Sequence, residues 1–311
     1  MKKILITGCC GFIGQNLVKA LGEKNYIIGI DNFYSSNREV LEKLNNIKNF
    51  RFIEDDIINM KSINEKIDII FNLACPASPP KYQANPIFTM DTNYIGTKNI
   101  LELARENNAI VVQSSTSEIY GDPLINPQIE SYFGNVNTTG IRSCYDEGKR
   151  IAETLCYEYR KLYGLKTRIV RIFNTYGPGM DPQDGRVISN FMINTIKNKD
   201  LQIYGDGSQT RSFCFIDDMI KALIKSMNSD FDFPINLGNN NEISLNKLAD
   251  LFQKKFNSKK IIFLKANQDD PKVRKPNIER AKTLLDWKPE TSLNDGLDIT
   301  YNYFKSILNE I

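Results

Sequence analysis

Short apolar runs alternate with amphipathic segments through the first half of the chain. Apolar residues are almost continuous within each run, a pattern typical of parallel strands that are buried on both faces. Residues 94–106 and 145–163 instead place apolar side chains at helical spacing. The predicted strands are residues 4–7, 26–30, 50–53, 67–73, 109–113 and 168–173. This alternation predicts an α/β fold with a doubly wound parallel sheet.

A glycine-rich turn, Gly-Cys-Cys-Gly-Phe-Ile-Gly from Gly8 to Gly14, follows the first predicted strand. Gly8 and Gly11 allow the backbone to approach a pyrophosphate, which a helix N-terminus attracts, and Gly14 allows the helix to pack close to the strand. Asp31 ends the second strand about 20 residues further on, where a carboxylate accepts hydrogen bonds from an adenosine ribose. We therefore predict a Rossmann-type domain that binds NAD. NADP stays open as an alternative, because Arg38 is near enough in sequence to receive a 2′-phosphate.

The pattern changes after Phe173. Residues 174–179 read as a loop, and the remainder mixes short apolar runs with turns and basic residues. We predict that residues 1–173 form the NAD-binding domain and that residues 174–311 form mainly a smaller C-terminal α/β lobe that binds substrate. An apolar run at 234–237 predicts that the chain returns to the main sheet near 213–240.

Charge and cysteine content narrow the classes of function. Forty basic residues against 37 acidic ones give a net charge of +3, and no long run of Lys and Arg occurs, so we expect neither nucleic acid nor a membrane surface as a partner. The chain has no histidine and no Cys-x-x-Cys pair among its six cysteines, so we expect no metal site. Free thiols suit a reducing cytoplasm, and no apolar stretch approaches the roughly 18 residues of a membrane span.

Tyr145 and Lys149 lie one helical turn apart in the second amphipathic segment. Side chains at this spacing share one face of a helix, so a phenol and an ammonium group can converge on one point. A cation about 4 Å from the phenol favours the phenolate by roughly 2 to 3 pKa units, which brings the pKa towards neutrality. The pair predicts a tyrosine that acts as a base, although the same spacing also occurs by chance on many amphipathic helices.

Several longer segments are more specific than these motifs. They are the glycine turn at 8–14, a proline loop at 76–80, and residues 115–123, 144–150, 171–178, 184–191, 207–211 and 269–278. With them the chain resembles, over essentially its whole length, the extended short-chain dehydrogenase/reductase superfamily. Within that superfamily it is most similar to the decarboxylases of UDP-glucuronate.

The resemblance implies an enzyme, a carboxy-lyase that converts UDP-glucuronate to UDP-xylose and CO₂ and recycles NAD within the site. Tyr145 would take the proton of the sugar C4 hydroxyl while hydride passes from C4 to NAD. Lys149 would lower the pKa of the phenol and bind the nicotinamide ribose, and Thr116 would hydrogen-bond the reacting oxygen. A ketone at C4 then lies β to the carboxylate, which leaves as CO₂. Glu118, helped by Arg211, would manage protonation at C5.

Two other functions remain as alternatives. The first is a nucleotide-sugar 4-epimerase or 4,6-dehydratase, but the dehydratases of the superfamily carry an aspartic acid in place of Ser117, and a serine hydroxyl is a far weaker acid. The second is a non-catalytic NAD-binding regulatory protein, which predicts that Thr116, Tyr145 and Lys149 would not all be retained. All three are present.

The resemblance also implies two sets of binding residues. The cofactor set is Gly8, Gly11, Phe12, Ile13, Gly14, Asp31, Asn32, Asp56, Ile57, Leu73, Ala74, Tyr145 and Lys149. The substrate set is Tyr82, Ser117, Asn174, Arg186, Val187, Asn190, Tyr204, Arg211 and Arg274. Considered singly, Glu118 also fits a turn carboxylate, Tyr82 a residue that packs the proline loop, and Arg274 a solvated surface charge.

The chain departs from the family pattern at three places. Gly179 stands where the family has an arginine, residues 137–141 replace a more proline-rich segment, and Cys75 stands where serine is usual. The first departure removes a cation that the family pattern places at the active site, so it bears on the identity of the substrate more than on the reaction type. The resemblance further implies a homodimer whose interface is a four-helix bundle, formed by the helices after Asn93 and Gly121.

Overall fold

Parallel strands form the central sheet of the protein. The computed structural model describes residues 1–60, 63–266, 269 and 271–309. The strands are β1 (Lys3–Thr7), β2 (Tyr26–Asp31), β3 (Phe50–Glu54), β4 (Ile69–Asn72), β5 (Ile110–Thr116), β6 (Thr167–Ile172), β7 (Thr175–Tyr176), β8 (Leu201–Tyr204), β9 (Thr210–Ser212), β10 (Cys214–Phe215), β11 (Ile235–Leu237), β12 (Glu242–Ser244) and β13 (Ile261–Leu264). Seven of them form one parallel sheet in the order β11-β6-β5-β4-β1-β2-β3. The predicted doubly wound α/β fold is confirmed.

Helices cover both faces of this sheet. They are α1 (Phe12–Leu21), α2 (Arg38–Leu44), α3 (Pro79–Ala84), α4 (Pro86–Asp91), α5 (Thr97–Asn107), α6 (Ser143–Tyr163), α7 (Val187–Ile196), α8 (Ile216–Asn228), α9 (Leu245–Phe256), α10 (Glu279–Leu285) and α11 (Leu293–Asn309). Alternate residues of a strand face opposite sides. Ile4 of β1 therefore packs in one core with α1 and α8, whereas Leu5 packs in the other with α5 and α6. None of the helices in the described ranges is both long and apolar enough to cross a membrane.

A smaller set of elements stands beside the carboxyl ends of the sheet. Strand β8 pairs with β13, β9 with β12, and β7 with β10, and α7 and α9 pack in the same core as α1 and α8. Within residues 213–240 the chain forms α8 and then β11, which pairs with β6 at the edge of the main sheet. The assignment of separate cofactor and substrate domains stays a prediction.

Two predicted elements differ from the observed ones in ways that matter for the site. Strand β5 runs three residues beyond the predicted end at 113, because polar residues up to Thr116 continue the pairing with β6. The predicted helix at 94–106 is composite, since α4 passes through a π-helical turn at Thr92–Gly96 into α5. The apolar pattern missed the end of β5 because polar side chains occupy it, and apolar spacing does not distinguish a π-helical turn from an α-helical one.

Candidate active site

One cavity of about 1540 Å³ opens at the carboxyl ends of the parallel strands. It extends from the glycine turn, past the end of β5 and the first turns of α6, to α7 and the segment around Arg274. In open α/β sheets ligands bind at this edge. A cavity of this size exceeds the roughly 300–1,000 Å³ of a single small-ligand site, so it has room for two ligands end to end.

The glycine turn has the geometry that a pyrophosphate requires. Gly8 has a φ of +67°, and a Cβ atom there would lie 3.0 Å from the backbone of Ala74. A Cβ atom on Gly14 would lie 2.1 Å from the Gly8 carbonyl oxygen. Helix α1 begins at Phe12, and its first N–H groups have no partner within the helix. Because Gly11, Phe12, Ile13 and Gly14 all line the cavity, these donors suit an anionic group.

Asp31 supports the glycine turn directly. One carboxylate oxygen accepts the backbone N–H of Cys10 at 2.9 Å, and the other accepts the Phe33 N–H at 2.9 Å and the Ser36 hydroxyl at 2.7 Å. The carboxylate thus joins the end of β2 to the turn and to the loop that follows. It does not itself line the cavity in the described part of the chain.

Four more predicted cofactor residues also lie outside the cavity lining, namely Asn32, Asp56, Ile57 and Ala74. Asn32 donates to Asp56 at 2.8 Å, and Ile57 is buried in the core beneath α5, where it contacts Gly96. The sequence motifs could not distinguish residues that line the cavity at the strand ends from neighbouring residues that pack behind the cavity wall. Leu73 does line the cavity.

Arg38, which left NADP open, is already paired. Its guanidinium donates to both carboxylate oxygens of Glu54, at 2.9 and 2.5 Å, and lies 4.3 Å from the centroid of the Phe33 ring. An arginine that binds a 2′-phosphate needs the same planar fork of donors. The ion pair therefore favours NAD.

Tyr145 and Lys149 come together on α6, as predicted, but the predicted lowering of the phenol pKa is wrong in this structure. The Lys149 ammonium donates to the Ser114 carbonyl at 3.1 Å and lies 5.9 Å from the centroid of the Tyr145 ring. Burial raises the pKa of Tyr145, and a hydrogen bond with Thr116 and the charge of Arg186 lower it only in part. The desolvation of a fully enclosed phenol outweighs the nearby cations.

Tyr82 stacks on Tyr145. The two rings are nearly parallel, 9° apart in orientation, with centroids separated by 5.0 Å. The Tyr82 hydroxyl is buried and has no hydrogen-bond partner among the described residues. Buried hydroxyl groups are usually hydrogen-bonded, so an unpartnered one beside the reactive phenol marks a place where a ligand group fits.

Glu118 is held between two arginines at the end of β5. Arg274 donates to both of its oxygens at 2.8 Å, and Arg142 forms a second ion pair with the same carboxylate. Burial alone would raise the pKa of Glu118, but Arg274 and then Arg142 outweigh burial and hold that pKa below its usual range. Because Arg274 is only 8% exposed, the alternative of a solvated surface charge is wrong.

Sequence reasoning missed two members of this cluster, Arg142 and Asp146. Asp146 is buried, and its Oδ1 atom has no hydrogen-bond partner among the described residues. Burial, and then repulsion from Glu118, raise the pKa of Asp146 to about 8. Asp146 follows Tyr145 in the segment 144–150 that carries the resemblance, whereas Arg142 lies just before that segment and had no signal in the sequence.

The remaining predicted substrate residues, Ser117, Asn174, Arg186, Val187, Asn190, Tyr204 and Arg211, all line the cavity. Arg186 is fixed by Asp184, to which it donates at 2.5 and 2.8 Å. Gly179 packs on α1, where Gln15 donates to its carbonyl at 3.1 Å. Gly179 has a φ of +91°, which is strained for any other residue, and a Cβ atom there would lie 2.8 Å from Asn16 Nδ2, so an arginine at this position would require the loop to change its conformation.

Comparisons with known proteins agree with this geometry. The model of the NAD dependent epimerase/dehydratase family matches residues 4–238. The chain is 46% identical over 310 residues to UDP-glucuronic acid decarboxylase 3 of Arabidopsis thaliana, covering 99% of the chain and 90% of that relative. It is 45% identical to UDP-glucuronic acid decarboxylase 1 of Xenopus tropicalis, covering 99% of the chain and 73% of the relative.

Solved structures give the same picture of the fold. A UDP-glucuronic acid 4-epimerase from Bacillus cereus, in complex with UDP-glucuronic acid and NAD, superposes with a TM-score of 0.89 at 28% identity, covering 98% of this chain and 99% of that one. A UDP-N-acetylglucosamine 4-epimerase from Methanobrevibacter ruminantium M1 superposes with a TM-score of 0.91 at 28% identity, with the same coverage.

Proposed function

Because the chain belongs to the NAD dependent epimerase/dehydratase family, we propose that it is a UDP-glucuronic acid decarboxylase that forms UDP-xylose and CO₂. The observation that carries the proposal is the buried cluster of Glu118, Arg142, Asp146 and Arg274 beside Tyr145. Sugar oxidation needs only Tyr145 and its neighbours. A charged cluster next to them is suited to a second reacting group, and the carboxylate of UDP-glucuronate is such a group.

The enzyme uses NAD, and the residues of the cavity fit it. The free N–H groups at the start of α1 suit the pyrophosphate, and Lys149, buried beside Ser114, would hold the nicotinamide ribose. Bound NAD supplies a hydride acceptor that later returns the hydride. The turn from Gly8 to Gly14 brings the backbone close enough to bind the dinucleotide without side chains in between.

Tyr145 is the group that exchanges a proton with the sugar C4 hydroxyl. Burial keeps the phenol protonated in this structure, because it raises the pKa of Tyr145. The phenol therefore becomes a base only when positive charge lies close to it. Lys149, 5.9 Å from the centroid of the ring, and Arg186, whose charge lowers the pKa of Tyr145, would supply that charge. Thr116, which hydrogen-bonds Tyr145, aligns the phenol with the reacting oxygen.

The acid and arginine cluster acts on the sugar carboxylate. Two guanidinium groups surround Glu118, so a substrate carboxylate that enters beside it meets both a like charge and two cations. Once C4 is a ketone, loss of neutral CO₂ leaves the electron pair and the negative charge of the carboxylate on an enolate, which protonation at C5 then neutralises. The two arginines hold the pKa of Glu118 below its usual range, whereas burial and then repulsion from Glu118 raise the pKa of Asp146 to about 8. Glu118 and Arg211, which both line the cavity, would manage protonation at C5.

The protein acts as a homodimer in the cytoplasm. Apolar side chains are exposed on α4, on the π-helical turn and on α6, namely Ile87, Met90, Tyr94, Ile151 and Tyr157. Helices that carry such side chains are suited to pack against the same helices of a second copy. The six free cysteines support a reducing compartment. Light scattering of the purified protein tests the dimer, and a monomeric mass would contradict it.

Incubation with UDP-glucuronate and NAD tests the reaction. We expect CO₂ and UDP-xylose in equal amounts, measured by gas trapping and by mass spectrometry of the nucleotide sugars. Because NAD is restored in each cycle, a catalytic amount of added NAD must support many turnovers. UDP-galacturonate without CO₂ would show a 4-epimerase instead and would overturn the proposal.

A further inference from the structure

Two adjacent cysteines, Cys9 and Cys10, occupy the positions between Gly8 and Gly11 in the cofactor turn. Both are buried free thiols, and their sulfur atoms lie 3.9 Å apart. Neither side chain has a role in the reaction proposed above. The shape of the turn depends on its glycines, so that shape does not explain why two thiols stand between Gly8 and Gly11.

The distance between the two sulfur atoms suits a shared metal ion. Two thiolates bound to one tetrahedral zinc ion at about 2.3 Å stand roughly 3.8 Å apart. A disulfide would require an approach to about 2.0 Å. The observed 3.9 Å is close to the separation in the first arrangement and far from that in a disulfide.

Asp31 completes a set of three ligands. One of its carboxylate oxygens and the two sulfur atoms all lie within 4.8 Å of one another, the only group of three or more such side chains found in the described part of the chain. Gly29 precedes Asp31 by two residues on the same face of β2, and a Cβ atom there would lie 2.7 Å from the Cys9 sulfur. The missing side chain at Gly29 is what lets this sulfur approach the strand.

We propose that Cys9, Cys10 and Asp31 form a binding site for a thiophilic divalent metal ion such as Zn²⁺, and that metal and NAD exclude each other. Thiolates prefer such ions over Mg²⁺ or Ca²⁺. Cys10 lines the cavity, so the ion enters, and a fourth ligand binds, from the side that the dinucleotide occupies. The proposal departs from the expectation of no metal site, which rested on the absence of histidine and of a Cys-x-x-Cys pair. Only the competition with NAD rests on the proposed function.

Titration of the NAD-free protein with Cd²⁺ and with Zn²⁺ tests the site. We expect one equivalent to bind, with a cadmium–thiolate absorption band in the ultraviolet and, for Zn²⁺, a calorimetric signal. Cys9→Ala, Cys10→Ala and Asp31→Asn should each weaken binding by about tenfold or more. Cys156→Ala removes a buried thiol from the core on the other face of the sheet and should leave binding unchanged. Equal binding in wild type and in the Cys9 and Cys10 variants would overturn the site, as would unchanged affinity in Asp31→Asn.

Addition of NAD to the metal-bound protein tests the competition. We expect NAD to release the ion and to remove the absorption band, and Zn²⁺ to raise the apparent Kd of NAD in proportion to its concentration. A ternary complex that keeps the band would overturn the competition. Because these measurements need no sugar substrate, their outcome is separate from that of the decarboxylase assay.

Discussion

The two ends of the cavity are built in different ways. At the cofactor end, the turn from Gly8 to Gly14 positions backbone N–H groups, and its geometry depends on residues close together in sequence. At the other end, Tyr82, Glu118, Arg142, Asp146 and Arg274 meet from four separate segments, and four of the five are charged or titratable groups of one cluster. The cofactor end has no room for added side-chain atoms, whereas the other end depends on keeping each of its charges. Substitutions at the two ends should therefore change different quantities, namely the Kd of NAD at the cofactor end and turnover and stability at the charged end.

Tyr145→Phe should give the largest difference between its effect on turnover and its effect on NAD binding. We expect turnover to fall by at least about 10³-fold, because the only group placed to exchange the C4 proton is removed. The ring and its stacking on Tyr82 are retained, so the Kd of NAD should stay within about twofold in equilibrium titration. Substantial residual turnover with normal NAD binding would show that another residue is the base.

Arg274→Met breaks the charged end alone. Loss of one partner from a buried ion pair costs about 3 kcal/mol, here at the low end because Arg142 still pairs with Glu118. We expect a lower free energy of unfolding in urea and a loss of decarboxylation of about 10²-fold, with NAD binding kept.

The double variant Arg274→Met, Glu118→Gln sharpens this test. Glu118 still pairs with Arg142 in the single variant, so replacing Glu118 as well leaves Arg142 as a buried cation without this partner, and both stability and activity should fall further. Recovery of activity together with stability would show that the cluster is only structural.

Gly8→Ala breaks the cofactor end alone, and Gly164→Ala is its matched control. Both glycines have nearly the same φ, +67° and +66°, but a Cβ atom on Gly8 would meet the backbone of Ala74 at 3.0 Å while one on Gly164 meets nothing within 4 Å. Each variant should lose about 1 kcal/mol of stability from its backbone conformation. Only Gly8→Ala should also weaken NAD binding, by about tenfold. Equal NAD affinity in both variants would contradict the close approach.

Asp146→Asn gives a pH dependence that belongs to the charged end. The folded pKa of Asp146, about 8, lies above its unfolded value of about 3.9. The neutral acid therefore contributes stability that is complete below pH ~4 and is lost as pH rises to ~8. Asparagine mimics the neutral form at every pH, so the Tm of the variant should rise relative to the Tm of the wild type as the pH increases from 5 to 9. A constant difference in Tm would show that the carboxyl is ionised throughout.

Glu54→Gln gives the smallest expected effect. It releases Arg38, so NADP should bind a few-fold more tightly while NAD binding stays unchanged. Surface ion pairs are weak, which keeps this gain small. Unchanged NADP affinity, measured by fluorescence titration, would mean that Arg38 cannot reach the 2′-phosphate position.

Local sequence predicted the glycine turn of the cofactor end, although not all of the residues that line it, and was insufficient for the charged end. Strand, turn, helix and the pairing of Tyr145 with Lys149 all follow from spacings of a few residues. By contrast, Arg142 and Asp146 carry no periodic signal, and the phenol pKa was misjudged because burial cannot be read from spacing. Ile57 was placed in the cofactor set, although tertiary packing buries its side chain under α5.

The sequence by itself determined the order of strands and helices, the tight glycine turn and the chemical types of the reacting groups, because each depends on neighbours along the chain. Only the tertiary structure decided which carboxylate is ionised, which arginines hold it, and that Cys9, Cys10 and Asp31 converge. Charge states depend on desolvation and on partners distant in sequence, and both exist only after the sheet and its loops have closed around the cavity.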